Sequence, residues 1–329
     1  MCFCMFVLLV FICALCFMTH KLYILSGVLS VLILINAFFI FNFENAGERD
    51  TGLTSLTGQT SNTQAYIFPI SEPSYLPVLN TAIERPQLAA RSALVYDTRS
   101  SRFLYSKNPE ERLPIASLTK LMTAIVVLEN LDLDGIVIVS KESVKVDEEK
   151  QTLYLDERIK VKELFKMMLI ESSNDAAYAL KLYASSSGID LVDLMNKKAI
   201  ELGMNNSIFH DPAGLNDNAL STSDDLIKLV RYSLKFDELW ATLGEKTASV
   251  YSIDGKIGHT VNSTNQLLGV IPDIVGGKTG YTEKALGCMA LLVDVSGKND
   301  KLISIVLGST ERFTDTEKLI NWTRKAYSW

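Results

Sequence analysis

A chain of 329 residues, 48% of them hydrophobic, can bury an ordinary core in one large domain or in two lobes sharing a cleft. Its formal net charge of -6 leaves no basic stripe to displace counterions from a phosphate backbone, which argues against a nucleic-acid partner. Four of its 5 cysteines (Cys2, Cys4, Cys13, Cys16) fall in the first apolar stretch. The lone Cys288 with His210 and His259, at no ligand spacing, offers neither an intradomain disulfide nor a metal set.

Residues 1–43 contain no Asp or Glu and one lysine, Lys21, between two apolar runs, 1–18 and 22–43. Each run is near the ~20 residues a helix needs to cross a bilayer. Two arrangements fit. One is a helical hairpin whose turn at 19–21 stays in the cytoplasm, and the other is a start at Met18 with one span. Both put the rest of the chain outside. No A-x-A site precedes Glu44 and neither Cys13 nor Cys16 follows the small residue of a lipoprotein site, so an uncleaved anchor at the cell membrane is expected. Residues 44–84 are rich in Ser, Thr, Gln, Asn and Pro without lasting periodicity and read as a flexible extracytoplasmic spacer.

The remainder, 85–329, reads as one ordered domain. RSALVYD and RFLYSK are strand-like runs around a turn at 97–101. Helical patterns follow at 117–131, 161–170, 175–184, 190–202 and 222–235. The last third is mostly strands (ASVYSI, DIVGGKTGYT, GCMALLVDV, LISIVLGS) before a closing helix from about Asp315. This order predicts an α+β fold whose antiparallel sheet takes strands from both ends of the domain, with helices packed on it.

Three short stretches carry candidate chemistry. PIASLTKLMTA puts Ser117 and Lys120 three apart, on one face of a helix. Alone, the pair also reads as a helix cap and a snorkelling lysine. MMLIESSNDAAYAL sets Ser172, Ser173 and Asn174 at a break between two helical runs, where capping is the plain explanation. IVGGKTGYT places Lys278, Thr279, Gly280 and Tyr281 on a strand whose glycines permit close approach of another backbone or a ligand.

Taken in order, Ser-x-x-Lys, Ser-x-Asn and Lys-Thr-Gly resemble the active-site serine penicillin-recognising enzymes. ALVYDTRSSRFLYSKNPEERLPIASLTKLMTA, SSNDAA and HDPAGLNDNALSTSDDLIKL are more specifically similar to the low-molecular-mass penicillin-binding proteins of the D-alanyl-D-alanine carboxypeptidase family, over about 85–329. The resemblance implies a β-lactamase/DD-peptidase-like fold, an antiparallel sheet flanked by helices plus a helical lobe. It implies Ser117 as nucleophile, Lys120 as its base, Ser172 as proton carrier toward the leaving amine, and Asn174 as holder of substrate and Lys120. Lys278 and Thr279 would hold the substrate's terminal carboxylate. The backbone N–H groups of Ser117 and Tyr281, beside Gly280, would form the oxyanion hole. Peptidoglycan stem peptides are the implied substrate and β-lactams covalent inhibitors, with no cofactor and no metal.

Two positions depart from the family pattern. Tyr281 stands where the family often has His, and Leu286 where it usually has Gly. The chain ends at Trp329, right after the predicted final helix, and the expected anchor is at the other end. A class A β-lactamase would need a Glu-x-x-Leu-Asn loop, which 202–225 lacks. An endopeptidase or transpeptidase of the same fold, or a tethered sensor that acylates without turnover, remains open.

Overall fold

A computed structural model of the protein describes residues 76–146, 151–295 and 300–329. The expected anchor at 1–43 and most of the spacer lie outside these residues. Among the described residues no helix is long and apolar enough to cross a membrane.

The first half runs β1 (Val78–Leu79), β2 (Ser92–Asp97), β3 (Arg102–Lys107), β4 (Leu113–Pro114), a 3-10 turn at Ala116–Leu118, α1 (Thr119–Asn130), β5 (Ile136–Ile138), α2 (Lys141–Val144), β6 (Arg158–Lys160), α3 (Val161–Ile170), α4 (Asn174–Ser186) and α5 (Leu191–Glu201). The second half runs β7 (Leu220–Ser221), α6 (Ser223–Ser233), α7 (Asp237–Gly244), β8 (Thr247–Tyr251), β9 (Gly258–Asn262), β10 (Ile274–Thr282), β11 (Leu286–Asp294), β12 (Lys301–Ser309), α8 (Arg312–Ala326) and β13 (Tyr327–Ser328).

The central sheet is antiparallel in the order β10-β11-β12-β2-β3, so the early hairpin joins the last three long strands through β12 and β2, with Ser304 opposite Val95. Side chains alternate across a strand, and here both faces are covered. Leu94, Cys288, Ala290, Leu292, Ile303 and Ile305 point into a core shared with the helical lobe. Their neighbours Val95, Met289, Leu291, Val293 and Leu302 point into a second core, closed by Leu319, Ile320 and Trp322 of α8. Burial on both faces is why these strands read as nearly unbroken apolar runs.

The helix predicted from 117 begins instead as a 3-10 turn, and α1 starts at Thr119. Asp190 and Thr222 are not helical but cap α5 and α6, accepting backbone N–H bonds, as short polar side chains at these positions favour. The stretch predicted as ASVYSI forms β8 in a separate hairpin with β9, outside the main sheet, and α7 was not anticipated. Residues 76–84, read as the end of the spacer, meet the ordered domain: Val78 and Leu79 pair with Ser328 and Tyr327, and Asn80 N–H donates to Ala326 O at 2.7 Å.

Candidate functional site

Ser117 lies in the turn between β4 and α1, just after Ala116, whose φ of 46° is left-handed. A side chain held there costs on the order of 1–3 kcal/mol and persists only where the surroundings fix it. The surroundings are β10, whose Gly280 runs so close that a Cβ would sit 3.0 Å from Ile115 O and from Ser117 N. One turn along α1, Lys120 is fully buried, and its Nζ donates to Ser117 Oγ at 3.0 Å, Asn174 Oδ1 at 2.7 Å and Ala213 O at 2.9 Å.

Ser117, Ser172, Asn174, Thr279, Gly280 and Tyr281 line one cleft of about 520 Å³. Lys120 and Lys278 lie buried beside it, so the structure brings the predicted positions together. The capping explanation holds for Ser173, whose Oγ accepts from Ala176 N–H at 3.1 Å and sits 2.6 Å from Thr152 Oγ1. Its neighbour Ser172 takes a left-handed φ of 65° and lines the cleft instead.

The opposite wall is β10. Lys278 Nζ donates to Thr279 O at 3.2 Å and has no carboxylate in ion-pair range among the described residues. Burial pushes its pKa well below the ordinary lysine value, and the nearby cations of Lys120 and Arg312 push it the same way. Thr279 Oγ1 lies 2.6 Å from Thr264 Oγ1, and Thr264 N–H donates to Ile170 O, tying this wall to the end of α3.

A model of one family, described as D-alanyl-D-alanine carboxypeptidase, matches residues 79–311. The chain belongs to that peptidase family. It is 32% identical to D-alanyl-D-alanine carboxypeptidase DacF of Bacillus subtilis over 72% of its length, and covers 63% of that relative. It is also 32% identical to a D-alanyl-D-alanine endopeptidase of Pseudomonas aeruginosa, covering 72% of this chain and 77% of the relative. Among solved structures, an ampicillin-bound penicillin-binding protein from Listeria monocytogenes superposes with a TM-score of 0.63 at 33% identity, covering 73% of this chain and 99% of that one.

In this carboxypeptidase-family chain, part of the site was invisible in the motifs. HDPAGLNDN, a resemblance without derivable chemistry in the sequence, turns out to brace Lys120. Asp211 accepts backbone N–H bonds from Ala213, Gly214, Leu215 and Asn216, which turns Ala213 O toward Lys120 while Pro212 O accepts from Thr123 Oγ1 at 2.7 Å. Gly214 has φ 80°, and a Cβ there would stand 1.9 Å from Ala116 O, so no larger residue fits.

Arg312 also lines the cleft, its Cζ 5.9 Å from the Tyr281 ring centroid and its Nε buried without a hydrogen-bond partner among the described residues. It opens α8 three residues before the helix expected from Asp315, and no motif marks it. Tyr281 itself is largely exposed at the rim. Leu286 has φ 53°, the left-handed region in which glycine is least costly, which accounts for a glycine being usual there.

Proposed function

We propose that the protein is a serine-type D-Ala-D-Ala carboxypeptidase that removes the terminal D-Ala of peptidoglycan stem peptides through an acyl-enzyme on Ser117. The observation that carries this reading is the fully buried Lys120, whose Nζ joins Ser117 Oγ at 3.0 Å to Asn174 Oδ1 at 2.7 Å. A serine hydroxyl is a poor nucleophile until a neighbouring base takes its proton, and neutral Lys120 is within reach to do so. Oγ then bonds to the carbonyl carbon of the penultimate D-Ala. The oxyanion is stabilised by the N–H groups of Ser117 and Tyr281, each worth roughly 3 to 4 kcal/mol.

Collapse of that intermediate breaks the peptide C–N bond. Ser172 passes a proton from Lys120 to the leaving amine, D-Ala departs, and water opens the ester by the reverse proton path. Buried Lys278, with Thr279 and Arg312, supports an anchor for the substrate's free carboxylate. A carboxylate there would also draw Lys278 back toward its charged form, and that positive charge would help keep Lys120 neutral. The same cleft would be acylated by β-lactams, in keeping with the ampicillin-bound Listeria relative. We place the domain outside the cytoplasmic membrane, tethered through residues 1–43, on the strength of their composition.

The test is direct. Labelled penicillin should attach at Ser117 by peptide mapping, Ser117→Ala should abolish labelling, and purified muropeptides should lose one D-Ala by mass. An adduct on Ser172 or Ser173 would overturn the assignment. The Pseudomonas relative, described as an endopeptidase, favours a second reading in which the bond cut lies in a cross-link. Release of monomers from cross-linked dimers, with intact pentapeptides, would establish that reading instead.

A further inference from the structure

Glu171 stands between the end of α3 and Ser172, and its side chain lines the cleft. Its Oε1 is buried and receives no hydrogen bond from the described residues. Several polar groups of the same cleft are committed elsewhere. Ser173 caps α4 and meets Thr152, Asn174 holds Lys120, and Thr264 meets Thr279. The carboxylate of Asp175 accepts from Thr152 N–H at 2.8 Å, and Glu157 Oε1 lies 2.7 Å from His259 Nε2, a ring stacked on Tyr154. A partly buried carboxylate that lines a binding cleft is suited to a donor brought by the ligand, and a protonated amine is the strongest such donor.

We propose that Glu171 is a subsite for a protonated amino group carried by the peptide substrate, and so sets specificity for peptides with a free side-chain amine. The inference rests on the peptidase reading above. It does not require that Glu171 take part in bond breaking. Burial raises the Glu171 pKa to about 7, the Asp175 charge on α4 adds to this, and His259 on β9 opposes it. The subsite is therefore ionised above neutrality and loses its charge as pH falls below it.

The test separates binding from turnover. The full chain carrying Ser117→Ala is titrated calorimetrically at pH 8 with a D-Ala-D-Ala peptide bearing a lysine side chain, and with the same peptide acetylated on that amine. The expected preference for the free amine is about tenfold or more, and it falls below about twofold once Glu171→Gln is added. It should also shrink at pH 6, where the peptide amine keeps its charge while Glu171 takes up a proton. This pH effect should survive in His259→Gln. Equal affinities for the two peptides with Glu171 intact would overturn the proposal without any variant at that position. So would a preference unchanged by Glu171→Gln, or a pH effect that disappears with His259. If the wild-type chain releases no D-Ala while the preference holds, the peptidase reading fails and the subsite stands.

Discussion

The cleft has two buried lysines, one on each wall, and they are held in opposite ways. Lys120, on the helical wall, is surrounded by acceptors: Ser117 Oγ, Asn174 Oδ1 and Ala213 O all lie within 3.0 Å of its Nζ. Lys278, on the strand wall, has one backbone carbonyl at 3.2 Å and cations for neighbours. The first is a finished arrangement in which every acceptor fixes the amine against the serine. The second has its charged form disfavoured by burial and neighbouring cations, and an arriving anion would restore that charge. On the proposed reading, preorganisation would serve the amine that takes a proton from Ser117, and a site short of negative charge would serve the amine that binds a carboxylate.

The largest effect should come from replacing each lysine by arginine. Arginine cannot lose its proton near neutral pH, so Lys120→Arg should lower the acylation rate by roughly 10²- to 10⁴-fold, the range of a general base. Lys278→Arg keeps a cation and should retain far more activity. Stopped-flow acylation with a fluorescent penicillin measures both, and an active Lys120→Arg protein would show that the two walls have been assigned the wrong way round.

Next in size is the substrate's own charge. Converting the terminal carboxylate of a D-Ala-D-Ala peptide to an amide removes a charge-assisted contact of about 1.5 to 3 kcal/mol, roughly 10- to 150-fold in kcat/KM. In Lys278→Ala the penalty should shrink, because the partner is already gone. An undiminished penalty would move the carboxylate site away from Lys278.

The pH dependence sharpens the comparison further. Lys278 has its pKa lowered, so it is charged at low pH and becomes neutral as pH rises through a value well below that of an ordinary lysine. A neutral amine no longer pairs with a carboxylate. For a carboxylate substrate, kcat/KM should therefore fall on the alkaline side, and Lys278→Arg should push that fall to higher pH. The amide substrate, which does not need the charge, should show a weaker decline attributable to Lys278.

The smallest effect concerns the hairpin between β10 and β11. Leu286→Gly relieves a left-handed residue, worth about 1–2 kcal/mol, but frees the unfolded chain by roughly 0.5–1 kcal/mol. Thermal unfolding should show a net change of no more than about 1 kcal/mol, with acylation unaltered. A loss above about 2 kcal/mol would mean that the packing of the Leu286 side chain outweighs its backbone strain.

How much of this was legible in the sequence can be seen at particular residues. Short strand-like runs marked β2, β3, β10, β11 and β12, and the joining of early and late strands followed from their order. Ser117, Lys120, Ser172, Asn174, Lys278 and Thr279 stood out only when three short stretches were taken in order and their resemblance to one family was seen. Arg312 did not, because a single arginine at a helix start has no local signature, and its place at the cleft comes from packing α8 beneath β11 and β12. Thr264 and Glu171 were equally silent, each meeting the cleft from a loop or helix end that local patterns leave unplaced.

Sequence alone nominated residues for chemistry, through the resemblance of three ordered stretches, and predicted that strands from both ends share one sheet, since motif and element order are properties of the chain itself. Tertiary structure decided which of two adjacent serines caps a helix and which faces the cleft, through the left-handed backbone at Ser172. It also decided the character of each lysine. Burial and neighbouring charge depend on segments 54 and 93 residues away in the chain, Asn174 and Ala213, that reach Lys120 only when the helical lobe closes on the sheet.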